Sequence, residues 1–337
     1  MAFEERFFTS SDKVTKIRIV GNTPHDAKIV LAVAHGIGEH AGRYEEMMTQ
    51  LGEIGIAVYA MDFIGHGRSV SDKKAPMYFG EDGWDYLVDD LISFNKLVRG
   101  MHPNTPCFML GFSMGSFVLR TALAERPDEI EASGAIFAGT GRIAAPVAAM
   151  VRFLVAQEAD KNGGFDVVSD KVNSLAFDNY NKFFEPTKTE FDWLCKNEAA
   201  LQEYIDDPMA AKYITPGMFS DLLDGMARSS KKSAIRNTKK IPILFMTGKE
   251  DPVGEFTKGV AKVYREFKNY NSQVSVRLYP NSRHDIFHDS DKKRVLEDLH
   301  FWMTRNAWYG SFELMVFFEE TSPGIPGDVY FLRFIDM

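Results

Sequence analysis

Six short, nearly continuous apolar runs, separated by longer segments with helical spacing, constrain the fold of this chain more than any other feature. They cover residues 28–36, 56–67, 107–113, 132–141, 241–248 and 273–280. A strand that is apolar throughout must be buried on both faces, and helices between the strands supply that cover. The pattern therefore predicts an α/β fold, with a mostly parallel central sheet flanked by helices.

Three segments deviate from this pattern. Residues 16–20, KIRIV, alternate between polar and apolar side chains, which is typical of an edge strand. The interval 142–240 is rich in helix formers and aromatic residues and has no clear buried strand, so we predict an insertion that divides a core formed by residues 1–141 and 241–308. The extension 309–337 contains two apolar, strand-like runs around a Pro/Gly turn, and we assign it no role.

Composition excludes several classes of protein. A net charge of −8 over 337 residues disfavours a nucleic-acid partner. Two cysteines, Cys107 and Cys195, are too few for a disulfide framework. The N-terminus lacks the pattern of a signal peptide, and the longest apolar stretch, 143–156, is interrupted by Arg152 and too short for a membrane span; we predict an amphipathic or buried helix there. We expect a cytoplasmic protein whose membrane contact, where present, is peripheral, and we leave its oligomeric state open.

Ser113 lies between two glycines in the sequence GFSMG, residues 111–115. A buried run precedes it and a helix predicted over 116–125 follows it, which is the strand–turn–helix setting of a nucleophile elbow. Gly111 and Gly115 lack Cβ atoms, so the strand and the helix can approach the turn closely. We interpret Ser113 as a catalytic nucleophile; the alternative is a glycine-rich turn in which the serine is incidental.

An acidic residue should follow the nucleophile, in a loop after a later strand. Asp251 comes directly after the run 241–248, and Pro252 favours a fixed turn at this position. We predict that Asp251 is the acid of a catalytic triad. Glu250 and Glu255 are its rivals.

A serine hydroxyl also needs a base to remove its proton. His284 follows the last apolar run, and we predict that it is the general base, with its tautomer fixed by Asp251. His288, four residues later, is the rival. The two histidines also match the spacing of metal ligands, but no third ligand at a useful spacing supports a metal site.

The developing oxyanion needs two hydrogen-bond donors. The amide of Met114, directly after the nucleophile, is one predicted donor, and the amide of Ile37, in the loop after the first buried run, is the other. We interpret three further polar residues nearby as structural. His35 braces this loop, while Asp62 and His66 precede the nucleophile, which is the wrong order for a triad; Asp62 can cap local amides.

Five segments together resemble the α/β-hydrolases of the monoacylglycerol lipase, lysophospholipase and serine aminopeptidase group: HGIGEHAGRY, DFIGHGRS, GFSMGS, GKEDPVG and SRHD. The resemblance extends over roughly residues 10–308, and residues 191–208 are similar to the cap of bacterial lysophospholipase-like proteins. Asp285 stands where the lipases often have glutamate.

The resemblance implies an α/β-hydrolase fold in which the insertion is a helical cap over the active site. It also implies a catalytic triad of Ser113, Asp251 and His284, with Ile37 and Met114 as oxyanion donors. No metal ion or organic cofactor is implied.

These residues predict a serine carboxylester hydrolase that cleaves a lipid-like acyl ester, of the monoacylglycerol or lysophospholipid type, through an acyl-enzyme intermediate. Most large apolar residues of the insertion should pack the cap, and a few should line an acyl-chain tunnel. The candidates are Phe153, Phe165, Phe177, Tyr180, Phe183, Phe184, Phe191, Trp193, Met150, Met209, Met218 and Met226.

Two alternatives stay open. A serine aminopeptidase of the proline-iminopeptidase type would need a cap carboxylate for the substrate's ammonium group, and Asp166, Asp178, Glu198 and Glu203 are available. The other alternative is a non-catalytic binding protein on a hydrolase scaffold, which the intact set of catalytic residues disfavours. We predict that the protein binds a small-molecule acyl ester and does not bind nucleic acid.

Overall fold

Eight strands form one mixed sheet in the computed structural model, which describes residues 3–72 and 75–307. In chain order the strands are β1 Glu4–Thr9, β2 Lys16–Asn22, β3 Ile29–Ala34, β4 Ile56–Met61, β5 Cys107–Phe112, β6 Gly134–Ala138, β7 Ile243–Gly248 and β8 Val274–Tyr279. Their order across the sheet is β1-β2-β4-β3-β5-β6-β7-β8. The six strands from β3 to β8 are parallel, which confirms the predicted sheet. The extension 309–337 lies outside the described residues.

β2 does not lie at the edge of the sheet, so the prediction of an edge strand over 16–20 is wrong. It pairs antiparallel with β1 on one side and with β4 on the other. The polar residue that produced the alternation, Arg18, is buried because its guanidinium pairs with Glu5 of β1 at 2.6 Å. The sequence analysis missed β1, since its six residues, EERFFT, are mostly exposed and show no buried face.

The core lies in two layers, one on each face of the sheet. Alternate residues of β3 supply both layers: Val30 and Ala32 belong to one, and Ile29 and Leu31 to the other. Successive side chains of a strand point to opposite faces, so a strand buried on both faces is apolar throughout. This accounts for the continuous apolar runs of the sequence.

Helices connect the parallel strands and cover both faces of the sheet. In chain order they are α1 Glu45–Glu53, α2 Gly83–Met101, α3 Met114–Glu125, α4 Ala145–Asn162, α5 Asp170–Asn173, α6 Asn179–Asn181, α7 Glu198–Asp206, α8 Pro216–Ser230, α9 Lys232–Asn237, α10 Lys258–Lys268 and α11 Lys292–Ala307. Short 3₁₀ turns cover Ala41–Tyr44, Pro127–Glu129 and Lys182–Phe184, and a π-helical turn covers Ser174–Asp178. α1 and α11 pack on one face of the sheet, and α2, α3 and α10 on the other.

The insertion between β6 and β7 is helical and holds α4 to α9. α8 packs against α4 within the insertion and against α3 of the core. The stretch predicted as an amphipathic or buried helix lies in α4, which exposes Val147, Met150, Phe153 and Leu154. The opposite side of the helix buries Ala148, Val155 and Ala159, so α4 presents apolar residues both to its packing partners and to solvent.

Arg120 in α3 connects the core to both ends of the insertion. Its fully buried guanidinium donates to Thr140 Oγ1 at 3.0 Å and Gly141 O at 2.9 Å, and also to Ser229 O at 2.9 Å, near the end of α8. Burial lowers the pKa of Arg120 to about 9. The helix that begins after Ser113 is thereby tied to the residues directly before the insertion and to the end of α8 within it.

The start of α3 is packed too tightly for side chains at two glycines. A Cβ at Gly115 would lie 2.2 Å from Ala34 O, and a Cβ at Gly111 would lie 2.4 Å from Gly115 O. β3, β5 and α3 therefore approach each other at the turn through glycine backbone alone.

Gly115→Ala is expected to lower the free energy of unfolding by about 1–3 kcal/mol, because the added methyl group forces the backbone of β3 or α3 to shift. Gly100→Ala in α2 is the matched control. Apart from its own helix backbone and chain neighbours, no atom of the described residues lies within 4 Å of the Cβ position at Gly100, and alanine there should raise the stability by up to about 1 kcal/mol. Urea unfolding followed by circular dichroism measures both variants, and equal stabilities would contradict the packing argument.

Candidate active site

Ser113 forms a strained turn between β5 and α3, with φ 48° and ψ −115°. Residues other than glycine rarely adopt a positive φ, and such strain concentrates at functional sites. The Ser113 amide donates to Ala138 O at 2.9 Å, and the Gly115 amide donates to His35 O at 3.1 Å, so the loops after both neighbouring strands hold the turn. Met114 is the first residue of α3, where the amides have no acceptor within the helix.

Ser113, His284 and Asp251 form a continuous hydrogen-bonded chain. The Ser113 hydroxyl donates to His284 Nε2 over 2.8 Å, and His284 Nδ1–H donates to Asp251 Oδ1 over 2.9 Å. The fully buried Asp251 also accepts from the Val253 amide at 2.9 Å and from the Thr247 hydroxyl at 3.2 Å. Because a carboxylate only accepts, the proton of the imidazole is on Nδ1, and Nε2 is left to accept from the hydroxyl.

The His284 ring is held between two aromatic side chains. Its centroid lies 5.0 Å from that of Phe112 and 5.2 Å from that of Trp193. Trp193 belongs to the insertion, and the next residue accepts a hydrogen bond through Leu194 O from the Asp285 amide at 2.7 Å. The insertion therefore helps to position His284. Sequence reasoning counted Trp193 only among the aromatic residues of the insertion, because no local signal links it to a distant histidine.

The rivals of the triad residues are engaged elsewhere. His288 Nδ1 donates to Asp285 Oδ2 at 2.8 Å, and His288 Nε2 donates to Arg43 O at 2.9 Å. Glu250 and Glu255 form ion pairs with lysine side chains, at 2.6 and 3.5 Å. The hydrogen-bonded chain thus contains the residue that we predicted at each position and none of its rivals.

The loop after β3 brings Ile37 into the wall of the pocket that contains the serine. The amides on either side of Ile37 are engaged: Gly36 N donates to Glu39 Oε1 at 2.6 Å, and Gly38 N donates to His66 Nε2 at 3.2 Å. These two bonds fix the conformation of the loop around the Ile37 peptide.

His35, Asp62 and His66 have the structural contacts predicted for them. His35 Nδ1–H donates to Gly36 O at 2.6 Å, and its Nε2 accepts from the Phe63 amide at 3.0 Å. Asp62 accepts from two backbone amides, at 2.7 and 2.9 Å. Burial lowers the pKa of His35 and that of His66 to about 3, so both rings are neutral and can accept these bonds.

Arg43 neutralises the two carboxylates that line the pocket. Its Nε lies 3.3 Å from Glu39 Oε2, and its Nη2 lies 3.0 Å from Asp285 Oδ2. Burial alone would raise the pKa of Asp285, but His288 and Arg43 outweigh it and hold that pKa well below its usual range. Burial acts to lower the pKa of His288, and the contact with Asp285 outweighs it, so that pKa is raised. Both effects favour a charged His288–Asp285 pair.

A pocket open to solvent lies at Ser113 and His284. Its wall is mostly apolar, formed by Ile37, Phe112, Phe177, Phe191, Trp193, Leu194, Tyr204, Ala211 and Ile214. Its charged residues are Glu39, Lys212 and Asp285. Three aromatic candidates for an acyl tunnel are therefore in the wall, whereas two others, Phe153 and Phe183, are exposed. Sequence reasoning missed Tyr204 and Lys212, which carry no local signal for a pocket.

The two histidines whose spacing matches metal ligands are committed to other contacts: His284 bonds with Ser113 and Asp251, and His288 with Asp285. Among residues 3–72 and 75–307, no three His, Cys, Asp or Glu side chains are grouped so as to hold a metal ion. Over the same described ranges, every helix is too short or too polar to cross a bilayer.

The fold and the hydrogen-bonded chain together define an α/β-hydrolase. The family model described as serine aminopeptidase, S33, matches residues 25–291, and this chain belongs to that family. Its membership confirms the resemblance noted in the sequence.

Relatives and solved structures agree with this assignment. The chain is similar to a monoacylglycerol lipase of Mycolicibacterium smegmatis, with 26% identity over 281 residues, 82% of this chain and 89% of the relative. It is also similar to a monoglyceride lipase of Homo sapiens, with 24% identity over 283 residues, which are 83% of this chain and 84% of the relative. Its fold matches that of a thermostable carboxyl esterase from Bacillus coagulans with a TM-score of 0.82 and 25% identity. The match covers 91% of this chain and 99% of the esterase. These relatives are lipases and an esterase, and this chain is a hydrolase of their class.

His288→Gln is expected to destabilise the protein more in acid than in alkali. Because the pKa of His288 is raised in the folded protein, its protonated form contributes stability that is complete below the unfolded pKa of about 6.5. That contribution is lost as the pH rises through the folded pKa. The free energies of unfolding of the wild type and the variant, measured in urea at about pH 5.5 and about pH 9.5, test this.

His25→Gln is the control for this experiment, since the His25 side chain is 97% exposed. It should change stability little at either pH. A loss of stability in His288→Gln that is the same at both pH values would contradict a charged His288–Asp285 pair.

Proposed function

We propose that this protein is a serine carboxylester hydrolase in which Ser113 is the nucleophile, His284 the general base and Asp251 the residue that orients His284. The observation that carries the proposal is the hydrogen-bonded chain from hydroxyl through imidazole to carboxylate, with distances of 2.8 and 2.9 Å, at an apolar pocket. A serine hydroxyl becomes an effective nucleophile when a base at contact distance takes its proton.

The proposed reaction has two halves. Ser113 Oγ attacks the ester carbonyl carbon while its proton moves to His284 Nε2, and the tetrahedral intermediate collapses as His284 returns that proton to the leaving alcohol. A water molecule then attacks the acyl-enzyme, giving its proton to His284. The second intermediate releases the acid and restores the proton to Ser113. Asp251 stabilises the imidazolium in both halves.

The amides of Ile37 and Met114 are the proposed donors to the oxyanion. Two features support this assignment. Met114 N–H belongs to the first turn of α3, where unpaired amides and the helix dipole favour negative charge. Ile37 lies in the same pocket wall as Ser113, in a loop fixed by the bonds of its neighbours. Donors held in place before the reaction begins are the more effective ones.

The proposed substrate is a lipid-like acyl ester, of the monoacylglycerol or lysophospholipid type. An acyl chain suits the aromatic and aliphatic wall beside Ser113. The names of the related lipases support the same substrate class. In this proposal the insertion 142–240 is a cap on a core of residues 1–141 and 241–308, because Trp193 and Tyr204 of the insertion form part of the pocket wall.

An aminopeptidase has less support than an esterase. It would need an unpaired carboxylate to bind the substrate's ammonium group, but Glu39 and Asp285 are both paired with Arg43. The wall formed by the described residues includes none of the four cap carboxylates considered for this role. The pocket therefore favours an ester with an apolar acyl group.

Ser113→Ala is expected to lower kcat/KM for p-nitrophenyl octanoate by at least about 10³-fold without unfolding the protein, because the nucleophile is lost. A fluorophosphonate probe should label the wild type at Ser113 and leave the variant unlabelled. Ser272→Ala, at an exposed serine, is the control and should retain both activities. If the wild type is neither labelled nor active, the binding-protein alternative gains support. If the wild type cleaves a prolyl-naphthylamide faster than the ester, the aminopeptidase alternative gains support.

The same assay can compare two variants of neighbouring carboxylates, Asp251→Asn and Glu250→Gln. The first variant should lose about 10³- to 10⁴-fold in kcat, because His284 can then adopt the wrong tautomer. The second removes an ion pair with Lys196 and should stay within a few-fold of the wild type. The reverse ranking would assign the acid to Glu250.

We also propose that the cap contacts a lipid surface through α4. Val147, Met150, Phe153 and Leu154 are 46–62% exposed and recur at the spacing of one helix face. Contiguous exposed apolar side chains of this kind mark interaction sites, and helices with such a face lie at the lipid–water boundary. A substrate with a long acyl chain is concentrated at that boundary.

Replacement of Met150 and Phe153 by serine is expected to reduce sedimentation with phosphatidylcholine vesicles several-fold, since it removes two of the most exposed apolar side chains of α4. Zwitterionic vesicles avoid repulsion by the net charge of −8. Ile54→Ser is the control, because Ile54 is also 50% exposed but lies outside the insertion. Equal sedimentation of the double variant and the wild type would exclude α4 as the contact.

A further inference from the structure

Lys212 is a charged residue of the pocket wall that forms no ion pair with a carboxylate in the described part of the chain. Its ammonium donates to Asp207 O and, at 2.8 Å, to Ala210 O, both neutral carbonyl groups. Within residues 3–72 and 75–307, no carboxylate oxygen lies within the 4.0 Å of an ion pair with it. The Asp207 side chain, which acts on Lys212 through space, is paired with His40 Nε2 at 2.7 Å.

The two carboxylates of the same wall are in the opposite situation. Glu39 and Asp285 both receive hydrogen bonds from Arg43, and Asp285 receives a second from His288. Two cations lie close to the Tyr204 ring: the guanidinium of Arg43 is 5.1 Å, and the ammonium of Lys212 5.5 Å, from the ring centroid. The anionic groups of the pocket are thus ion-paired within the protein, whereas Lys212 has carbonyl partners and no ion pair among the described residues.

An ammonium group has three donors, and two of those of Lys212 are used by the carbonyl groups. Burial lowers the pKa of Lys212 and Arg43 adds to that effect, while Asp207 and Asp206 oppose it without cancelling it, so the surroundings disfavour the charge on balance. An anion in the pocket would remove that penalty and would occupy the third donor with a charge-assisted hydrogen bond. A neutral glycerol head group could accept a bond but could not neutralise the charge.

We propose that Lys212 is a specificity-determining residue that binds an anionic group of the substrate, a phosphate or a carboxylate, so that the pocket prefers anionic acyl esters to neutral ones. This inference rests on the proposed function of the site and names its substrate class more closely. The alternative role of Lys212 is structural: its two carbonyl bonds fix the chain between α7 and α8.

The test compares three octanoyl esters with the same acyl chain: octanoylglycerol, octanoylglycerol phosphate and octanoylglycerate. In the wild type, kcat/KM should be higher for the two anionic esters, and Lys212→Met should lower the anionic-to-neutral ratio by about 10- to 100-fold. Lys212→Arg should retain most of the preference. Lys231→Met, at an exposed lysine, is the matched control and should leave the ratio unchanged. If Lys212→Met loses the preference for only one of the two anionic esters, the anionic group of that ester, phosphate or carboxylate, is the one that Lys212 recognises.

Equal losses on neutral and anionic esters in Lys212→Met, or a wild type without preference, would overturn the proposal in favour of the structural role. A binding arm keeps this result separate from a failure of the catalytic assignment. Calorimetry with Ser113→Ala should show that octyl phosphate binds more tightly than octanol. This difference in affinity should disappear in the double variant Ser113→Ala/Lys212→Met. Inorganic phosphate alone should bind far more weakly than octyl phosphate; equal binding would identify a free-anion site and contradict substrate recognition.

Discussion

The strained turn at Ser113 is the constraint on which the rest of the site depends. A positive φ at a serine is unfavourable by about 1–3 kcal/mol, so the surrounding structure has to hold it. Gly111 and Gly115 allow β3, β5 and α3 to meet at the turn, and buried Arg120 ties the same helix to the insertion. Ser113, the proposed nucleophile, is therefore placed by backbone packing, and its side chain is left to bond with His284.

Arg43 links the two loops that border the nucleophile. One of its nitrogen atoms bonds with Glu39, in the loop of Ile37, and another with Asp285, next to His284. Without this guanidinium the two carboxylates would face each other across the pocket and repel, which is costly in a poorly hydrated site. A single cation thus keeps the proposed oxyanion loop and the proposed base in one arrangement, and it leaves the pocket without a free negative charge.

The sequence predicts those parts of the structure whose cause is local. The strands β3 to β7 are recognisable because burial on both faces makes them apolar throughout, whereas β8, at the sheet edge, is partly exposed. Ser113, Asp251 and His284 are recognisable because each follows a predicted strand. β1 was missed because pairing with β2, rather than burial, defines it. The contacts of Trp193 and Lys212 depend on how the insertion folds over the core, and no periodicity in the sequence encodes that packing.

The bonds between the insertion and the loop of His284 have a mechanical consequence. Leu194 O accepts from the Asp285 amide, and the Lys196 amide donates to Asp289 at 2.8 Å, so this short piece of the insertion and the loop of His284 are bonded together. Displacement of the piece would strain the contacts that hold the His284 ring beside the Ser113 hydroxyl. A path for substrate that leaves the ring in place therefore has to avoid this part of the insertion.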